Sequence, residues 1–561
     1  MSIGEIVAKS LYELGVDTVF GIPGTHIYHI FAALEDYADI KTIVTRHEMN
    51  SVFMADVYGR LRGSPGVAIV TAGPGFTNAL TGIGQAYSES SPVLVISGDV
   101  PRGSFYDFHG VDMPNVLHQM SIHMAKASHI VMDSEDVEWA VKHGYRLANA
   151  GRKGPVHISI PRDIFYEEAG YKAINVDYMV ESRFDENILF SRDFRKGRLL
   201  CIIGPEAGYP EYREVIMRFC DAFKMPFISG TGVLGFLPQD SELFGGFFEK
   251  KFVIHPLSEA LVKEADTIIF LGIRPESVDA NALINRVEKA SRFLFILPSV
   301  NSKGMLGFEE DFIDIQVFNI RGRNSIGLYG PLNLILERII EYGGESKSYD
   351  IDLRSEIMKR YNEITNELEK DVEASPMNQG VAINIISQYI PEDTNLVVDV
   401  GANEVWARDL IGPVRRVRYI YAGAFGSLGF SFGAVAGSKL AEPGKPAVSL
   451  SGDGSILMSL MELQTLEFYN IPVKVFVIND GSYGILEHLS LRDLPRKISG
   501  DIGSVDFAKT AEAFGIESVR VSTANELEDV VKEVFKDDDK PFLVDVVTRK
   551  EDIPPIIRKH L

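Results

Sequence analysis

The 561-residue sequence is poor in cysteine, with only Cys201 and Cys220, so neither a disulfide framework nor a cysteine-rich metal site is expected. Basic residues are outnumbered, since 56 lysines and arginines against 78 aspartates and glutamates leave a net charge of −22. That charge would repel nucleic acid and anionic membranes. No apolar run reaches transmembrane length, and no signal-peptide pattern is present. These absences predict a cytoplasmic globular protein without nucleic-acid or membrane partners.

Strand and helix patterns alternate along the chain, which is too long for a single hydrophobic core. They predict three α/β units, over residues 1–166, 190–342 and 372–548. Irregular or charged segments connect the units. Each unit is expected to contain a mainly parallel sheet with helices on both faces.

Two aspartates follow neighbouring predicted strands in the third unit. Residues Ala447–Leu450 and Val473–Ile478 have strand character, and Asp453 and Asp480 come shortly after them. A helix that Ser455 opens and that extends toward residue 470 is predicted between them. Because a right-handed crossover places the carboxyl ends of parallel strands side by side, both carboxylates should face one site.

The turn around Asp453 has the composition of an anion cradle. Gly452 and Gly454 let the backbone approach an anion, and the helix amides after Ser455 favour phosphate oxygens. A carboxylate would repel that phosphate unless a cation lay between them, and Mg²⁺ suits oxygen ligands. The alternative is an ordinary glycine-rich turn capped by an aspartate.

The Gly-Asp-Gly run at Asp453 and the Asn-Asp-Gly run at Asp480, 27 residues later, resemble the thiamine diphosphate motif of the pyruvate oxidase, acetolactate synthase and benzoylformate decarboxylase superfamily. The resemblance implies that Asp453, Asp480 and the carbonyl of Ser482 hold Mg²⁺ against the diphosphate. That family usually has Asn as the second ligand, whereas this chain has Asp480, with Asn479 just before it. The choice of Asp480 rests on spacing alone.

Glu48 follows the predicted strand Ile40–Val44 and begins a helix with an apolar stripe. By pattern alone it is a helix N-terminal acid that interacts favourably with the helix dipole. The resemblance implies instead that Glu48 is catalytic and hydrogen-bonds a ring nitrogen of the aminopyrimidine. In that role it assists removal of the proton from the thiazolium carbon.

Further segments match the family in order and spacing. Residues Thr71–Asn78 follow the predicted strand Val67–Val70 and resemble the loop on the pyrimidine side. Residues Gly426–Gly429 resemble the stretch that bends the cofactor, with Leu428 as the wedge between its rings; without the family, Leu428 would be interpreted as a core residue. The cofactor-binding residues that the resemblance implies are Gly24, Thr71, Asn78, Gly426, Leu428, Gly452, Gly454, Ser455, Tyr483 and Gly484.

The resemblance covers nearly the whole chain and implies a thiamine diphosphate-binding fold. It implies that residues 1–166 form the pyrimidine-binding unit with the catalytic glutamate and that residues 190–342 form the central unit. Residues 372–548 would then form the diphosphate- and Mg²⁺-binding unit. In that family the first unit of one subunit faces the third unit of another. A homodimer or homotetramer with active sites at the subunit interface is therefore implied.

The central unit binds FAD in acetolactate synthases, and this chain departs from their pattern there. Residues Ile273–Ser277 replace the Arg-Phe-Asp-Asp-Arg stretch of that family. Residues Leu297–Ser299 replace an acidic strand end, so no carboxylate is available to a ribose. FAD is therefore not expected.

Substrate choice depends on positions where the chain differs from acetolactate synthases, which have Phe-Gln-Glu in place of Phe108–Gly110 and Trp in place of Leu489. His26 resembles a histidine of benzaldehyde lyase, and His109 is similar to the active-site histidines of pyruvate decarboxylase. Both are predicted to be catalytic, because histidine carries protons near neutral pH. Each is alternatively a structural loop residue.

The resemblance as a whole implies thiamine diphosphate-dependent decarboxylation and carboligation of 2-oxo acids, similar to acetolactate synthase. A second interpretation is a simple 2-oxo acid decarboxylase or an aldehyde lyase of the benzaldehyde lyase kind. A third is a non-catalytic homologue that binds the cofactor and only regulates or scaffolds. The presence of both Glu48 and the aspartate pair argues against the third.

Overall fold

A computed structural model describes residues 1–104, 108–110, 116–175, 196–230, 232–249, 253–275, 277–287, 292–298, 314–320, 323–536 and 539–558 of the chain. Its strands form three large sheets, one in each predicted unit. The predicted α/β class with mainly parallel sheets is confirmed. The unit boundaries, at 1–166, 190–342 and 372–548, stay predictions.

The first sheet has six parallel strands in the order β2-β1-β3-β4-β6-β5. Its strands are β1 Thr18–Gly21, β2 Lys41–Val44, β3 Gly66–Val70, β4 Val93–Asp99, β5 Ala127–Ile130 and β6 Pro155–Pro161. Its helices are α1 Ile3–Glu13, α2 Tyr28–Leu34, α3 Glu48–Arg62, α4 Pro74–Ser88, α5 Val116–Ser121 and α6 Val137–Asn149.

Helices cover this sheet on both faces, as the unbroken apolar runs of β3 and β4 predict. Val67 and Ile69 of β3 pack in one core with α1 and α6. Ala68 and Val70, which alternate with them, belong to a second core with α3 and α4. The strand period of two therefore divides each strand between two helical layers.

The central sheet has eight strands in the order β11-β10-β9-β8-β12-β13-β15-β14, parallel except for the antiparallel pairs at its two edges. Its strands are β8 Leu199–Ile203, β9 Phe227–Ser229, β10 Phe244–Glu249, β11 Val253–Ile254, β12 Thr267–Leu271, β13 Arg292–Leu297, β14 Asp314–Ile320 and β15 Arg323–Tyr329; β7 Lys196–Gly197 pairs separately with β16 Glu345–Ser346. Its helices are α7 Arg213–Ala222, α8 Pro256–Glu264, α9 Val278–Ile284 and α10 Leu332–Tyr342, followed by the connector α11 Leu353–Leu368.

The third sheet repeats the strand arrangement of the first, in the order β18-β17-β19-β20-β22-β21 and all parallel. Its strands are β17 Asn395–Val398, β18 Arg418–Tyr421, β19 Ala447–Gly452, β20 Lys474–Asn479, β21 Glu517–Val521 and β22 Phe542–Val547. Its helices are α12 Gln379–Tyr389, α13 Ala402–Leu410, α14 Phe430–Ala441, α15 Asp453–Ile456, α16 Leu463–Phe468, α17 Gly484–Asp493, α18 Phe507–Ala513, α19 Ala524–Val534 and α20 Pro555–Arg558.

The first and third units share one hydrophobic core within the chain. Helix α3 packs along α14, and the rings of Phe53 and Phe430 meet edge to face with centroids 5.2 Å apart. Gly437 of α14 lies against the backbone of Met54, where a side chain would collide. This contact sets the position of Glu48, at the start of α3, relative to the third unit.

The predicted helix between the two aspartates is wrong in its extent. Asp453, not Ser455, opens a four-residue helix that ends at Ile456, and helical structure resumes only near Leu460. Ser459 stabilises the break, since its hydroxyl lies 2.8 Å from the carbonyl of Gly429. Leu457 and Met461, whose spacing suggested a buried stripe, are exposed.

Among the residues that the structure describes, no helix is both long and apolar enough to cross a bilayer.

Candidate active site

The two aspartates lie together at the carboxyl edge of the third sheet. Asp453 begins α15 directly after β19, Asp480 follows β20, and these strands are parallel neighbours. Both residues line one cavity with Ser482. The crossover therefore brings together the predicted metal ligands.

Backbone amides hold the Asp453 carboxylate in place. Its Oδ1 accepts a hydrogen bond from the Gly454 amide at 2.7 Å, and Oδ2 accepts one from the Gly481 amide at 2.5 Å. Asp480 Oδ1 accepts hydrogen bonds from the amide and the hydroxyl of Ser482, at 2.9 and 3.1 Å. Turn donors thus orient both carboxylates.

The electrostatics of the pair favour a cation. Burial, and to a lesser extent the nearby charge of Asp480, raise the pKa of Asp453 to about 7. Burial also raises the pKa of Asp480 to about 6. Because two half-desolvated like charges repel each other, a divalent cation between them would restore the charged form of both.

Asn479 points away from this cavity, because successive side chains of a strand alternate between faces. Its Nδ2 donates to Asp545 Oδ1 at 2.8 Å and to the carbonyl of Val505 at 2.9 Å. It is absent from the lining of the cavity, whereas Asp480 is present. This geometry supports Asp480 over Asn479 as the candidate ligand.

Most of the other residues predicted around the diphosphate line the same cavity. Those residues are Leu428, Gly452, Gly454, Ser455, Tyr483 and Gly484. The Tyr483 ring packs directly on Gly454, so that a larger residue at 454 would collide with it. The short turn after β19 is therefore held closely against the start of α17.

Sequence reasoning missed several residues of the cavity wall. Those residues are Gln379, Val400, Gly401, Ala402, Asn403, Ile478, Ile485 and Leu486. Residues 400–403 form the turn after β17, and Asp399 immediately after that strand was a signal of a third strand end at this edge. Gln379 lies far from the two aspartates in sequence, at the start of α12. The only signal in the sequence was the helix-capping Asn that precedes it.

Asp399 connects this turn to the stretch that carries Leu428. It is fully buried, and its carboxylate accepts hydrogen bonds from the amides of Gly429 and Ser431, at 3.2 and 3.0 Å. Burial raises its pKa. The chain thus fixes residues 426–429, including Gly426, beside the cavity.

A second group of predicted residues lies at the carboxyl edge of the first sheet. Glu48 Oε2 accepts a hydrogen bond from Asn78 Nδ2 at 3.0 Å, which joins the start of α3 to the first turn of α4. Thr71 follows β3 and packs against Gly24, since a Cβ at position 24 would lie 2.5 Å from the Thr71 Cβ. The structure therefore brings Glu48, Asn78, Thr71 and Gly24 to one edge.

His26 and His109 are neighbours at the same edge. Their ring centroids are 5.2 Å apart, and His26 is fully buried, with its Nδ1 3.2 Å from the hydroxyl of Thr25. His109 has a left-handed backbone with φ of 68°, and its carbonyl packs against Gly73 in the loop before α4. Both histidines thus lie next to the pyrimidine-side loop.

The Glu48 group is not part of the cavity beside Asp453, whose lining residues all belong to the third unit. The first and third units meet near Gln85, whose Nε2 donates to the carbonyl of Ala422 at 2.7 Å and whose Oε1 accepts from the Ser427 amide at 3.4 Å. Gln85 lies about 10 Å along α4 from Asn78. No hydrogen bond found among the described residues joins Glu48 to Asp453 or Asp480.

Side chains pack closely at the carboxyl ends of the neighbouring central strands β8 and β12. Ile273 packs directly on Gly204, the residue that follows β8. Arg274 and Glu206, both buried, form two hydrogen bonds of 2.7 and 3.1 Å in the same crevice. The strand β13 ends at Leu297 and is followed by Pro298; Glu276 and Ser299 lie outside the described residues.

Comparison with known proteins relates the chain to thiamine diphosphate enzymes. Two models match, "Thiamine pyrophosphate enzyme, N-terminal TPP binding domain" over residues 1–123 and "Thiamine pyrophosphate enzyme, C-terminal TPP binding domain" over residues 399–546. The acetolactate synthase large subunit of Haemophilus influenzae is 29% identical over 99% of this chain and 96% of that protein. The large subunit from Lactococcus lactis is 28% identical (99% and 94%), and the acetolactate synthase of Bacillus subtilis is 27% identical (97% and 92%).

A solved structure supports the fold independently. The thiamine diphosphate-dependent 4-hydroxybenzoylformate decarboxylase of Rhodococcus jostii RHA1 superposes with a TM-score of 0.78 at 19% identity, over 98% of this chain and 99% of that chain. The predicted three-unit thiamine diphosphate-binding fold is thereby confirmed.

Proposed function

This chain belongs to the thiamine diphosphate-dependent enzyme superfamily, and from that premise we propose that it decarboxylates a 2-oxo acid and ligates the product to a second carbonyl compound, as acetolactate synthases do. The observation that carries the proposal is the cavity where Asp453, Asp480 and Leu428 meet at one sheet edge. Similarity to acetolactate synthases over nearly their whole length supports the reaction class.

Asp453, Asp480 and the carbonyl of Ser482 are the proposed Mg²⁺ ligands. The described residues contain no group of three or more His, Cys, Asp or Glu side chains that is placed to hold a metal ion. Two carboxylates and a carbonyl suit Mg²⁺ nevertheless, because this ion usually keeps water and takes phosphate oxygens from its partner. The raised pKa values of both aspartates are a further sign of a cation site.

Bound thiamine diphosphate supplies the electron sink for loss of carbon dioxide. Glu48 is proposed to hold a proton toward a ring nitrogen of the aminopyrimidine. Asn78 occupies Glu48 Oε2 and leaves the other oxygen for that contact. Leu428 is proposed to separate the two rings, since it lies in the cavity wall beside the metal pair.

His26 and His109 are the proposed proton carriers for the substrate. Their contact at the pyrimidine-side edge gives them the position that such a role needs. The same pair favours a second candidate function, a non-oxidative 2-oxo acid decarboxylase or an aldehyde lyase of the benzaldehyde lyase kind. In that case a histidine protonates the product carbon and no ligation follows.

A homodimer or homotetramer completes the proposed site. The cavity beside Asp453 is lined by residues of the third unit alone, so the Glu48 that completes the site is proposed to come from a second subunit. Large exposed apolar side chains that lie at the cavity or close in sequence to residues lining it support this arrangement, since exposed apolar patches mark protein interfaces. Those side chains are Phe425, Leu457, Met458, Met461 and Leu486.

A cytoplasmic location belongs to the proposal as well, because two buried free cysteines suit a reducing compartment.

The enzyme is proposed to work without FAD. In the central unit, Ile273 packs against Gly204 after β8, and the carboxylate of Glu206 is already paired with Arg274. Purified protein should show no flavin absorbance and no gain in activity on addition of FAD. Stoichiometric bound flavin would contradict this part of the proposal.

The test of function is a product analysis with thiamine diphosphate and Mg²⁺ present. Pyruvate and a panel of other 2-oxo acids are supplied with and without an aldehyde acceptor, with Glu48→Gln as the control for uncatalysed turnover. Ligated product, such as acetolactate from pyruvate, is the expected result. Free aldehyde alone would favour the second candidate, and no product from any 2-oxo acid would contradict both.

A further inference from the structure

Gln379 contacts the aspartate pair from a helix, α12, that contributes neither aspartate. It is the first residue of α12, is 4% exposed and lines the cavity with Asp453 and Ser482. Its Nε2 donates a hydrogen bond of 2.8 Å to Asp480 Oδ2. Since Ser482 occupies Oδ1, both oxygens of Asp480 are oriented by donors.

The position of Gln379 is itself fixed. Asn378 caps α12, accepting a hydrogen bond from the Gly380 amide at 2.7 Å. Asp552 accepts hydrogen bonds from Asn378 Nδ2 at 2.9 Å and from the Gln379 amide at 3.0 Å, and Arg549 pairs with Asp552 at 2.8 Å. These contacts anchor the backbone of Gln379 and direct its side chain into the cavity wall.

The oxygen of the Gln379 side-chain amide, Oε1, indicates that a group outside the chain binds next to it. This oxygen is buried and accepts no hydrogen bond from the part of the chain that the structure describes. A buried acceptor without a donor costs about 1–3 kcal/mol, so such atoms are rare in folded proteins. In the wall of a cavity that contains two carboxylates, a water molecule of the kind that Mg²⁺ retains would supply this donor.

We propose that Gln379 is a positioning residue of the metal site, which lets an aspartate act where the family usually has Asn. The inference rests on the proposed function. The hydrogen bond from Nε2 offsets part of the charge on Asp480 Oδ2 and fixes the plane of its carboxylate. If residue 480 were Asn, the Gln379 amide would rotate and accept the same hydrogen bond through Oε1, so Gln379 suits either residue.

The experiment exchanges the two members of the pair. Gln379→Glu sets two carboxylates against each other, whereas Gln379→Glu with Asp480→Asn restores a carboxylate–amide pair of the same total charge. Gln379→Leu removes the hydrogen bond, and Gln388→Glu, at an exposed position of the same helix, is the matched control. The measurement is Mg²⁺ affinity by calorimetry with thiamine diphosphate present, after thermal unfolding has shown that each variant is folded.

Gln379→Glu and Gln379→Leu are expected to weaken Mg²⁺ binding roughly 10- to 100-fold, the usual effect of losing a partner of a metal ligand. The double variant should return to within about threefold of Asp480→Asn alone, and the control should match the wild type. Wild-type affinity in Gln379→Leu, or a double variant that binds no better than Gln379→Glu, would overturn the inference. If the wild type itself binds no Mg²⁺ with thiamine diphosphate, the proposed cofactor site fails first, and this inference fails with it.

Discussion

Replacing Asp480 by Asn is expected to stabilise the metal-free protein at neutral pH. Asn has the same shape, and its amide group can remain hydrogen-bonded to Gln379 and Ser482. The change removes a charge that burial opposes and that also raises the pKa of Asp453. Without metal, the aspartate pair therefore costs the fold stability.

The magnitude follows from the pKa of Asp480, which burial raises from 3.8 to about 6. The folded chain binds this proton more tightly than the unfolded chain does, so wild-type stability falls as the pH rises through this range. At about 1.4 kcal/mol per pKa unit, the cost is about 3 kcal/mol at pH 8 and about half that at pH 5. If the third unit unfolds cooperatively, the midpoint of Asp480→Asn should rise by about 6–12 °C at pH 8.

Thermal unfolding in the presence of a chelator, at pH 5 and pH 8, measures this difference. Asp529→Asn is the matched control, because that carboxylate belongs to the same unit but is 84% exposed, and it should change neither midpoint. Equal midpoints for the wild type and Asp480→Asn at pH 8 would refute the reasoning. So would a gap that is the same at both pH values, since a charge-independent effect would then explain it.

Four further substitutions test the proposed site. Glu48→Gln should leave the fold intact and slow hydrogen–deuterium exchange at the thiazolium carbon, since the amide cannot relay a proton; an unchanged rate by NMR would remove Glu48 from the mechanism. Asp453→Ala should abolish cofactor binding in calorimetry because the diphosphate then faces Asp480 without a bridging cation, and wild-type affinity would contradict that role. Asn479→Ala should lower thermal stability and spare Mg²⁺ affinity; a larger loss of affinity than in Asp480→Ala would move the ligand by one residue. His26→Ala should lower formation of the ligated product roughly 10²- to 10⁴-fold, and identical rates and product ratios would make His26 a structural residue.

The sheets could be predicted from the sequence because buried parallel strands are continuous apolar runs. Residues 67–70 of β3 are fully buried, and the strand predicted at Val67–Val70 begins within one residue of the observed one. The helix after Asp453 was less predictable, since Leu457 and Met461 match a helical stripe but face solvent. Periodicity shows where apolar residues recur, but it does not distinguish a buried helix face from an exposed one.

The candidate site was predictable where it depends on strand ends and not where it depends on distant chain segments. Asp453 and Asp480 follow adjacent strands, so topology alone brings them together. Gln379 precedes Asp480 by about a hundred residues, and no local pattern connects the two. Asp399 likewise holds residues 426–429 by accepting hydrogen bonds from backbone amides. Because every residue other than proline has such an amide, the side-chain identities do not reveal this contact.

The separation of the two residue groups links cofactor binding to assembly. Glu48 belongs to the first unit and Asp453 to the third, and the cavity beside Asp453 is lined by residues of the third unit alone. In the proposed site between two subunits, a cofactor held by both groups would favour the associated state, and by linkage association would increase cofactor affinity by the same factor. Sedimentation of dilute protein should show tighter self-association when thiamine diphosphate and Mg²⁺ are added, and Asp453→Ala should abolish that gain. A self-association constant that is unaffected by the cofactor would mean that one chain holds the whole cofactor by itself.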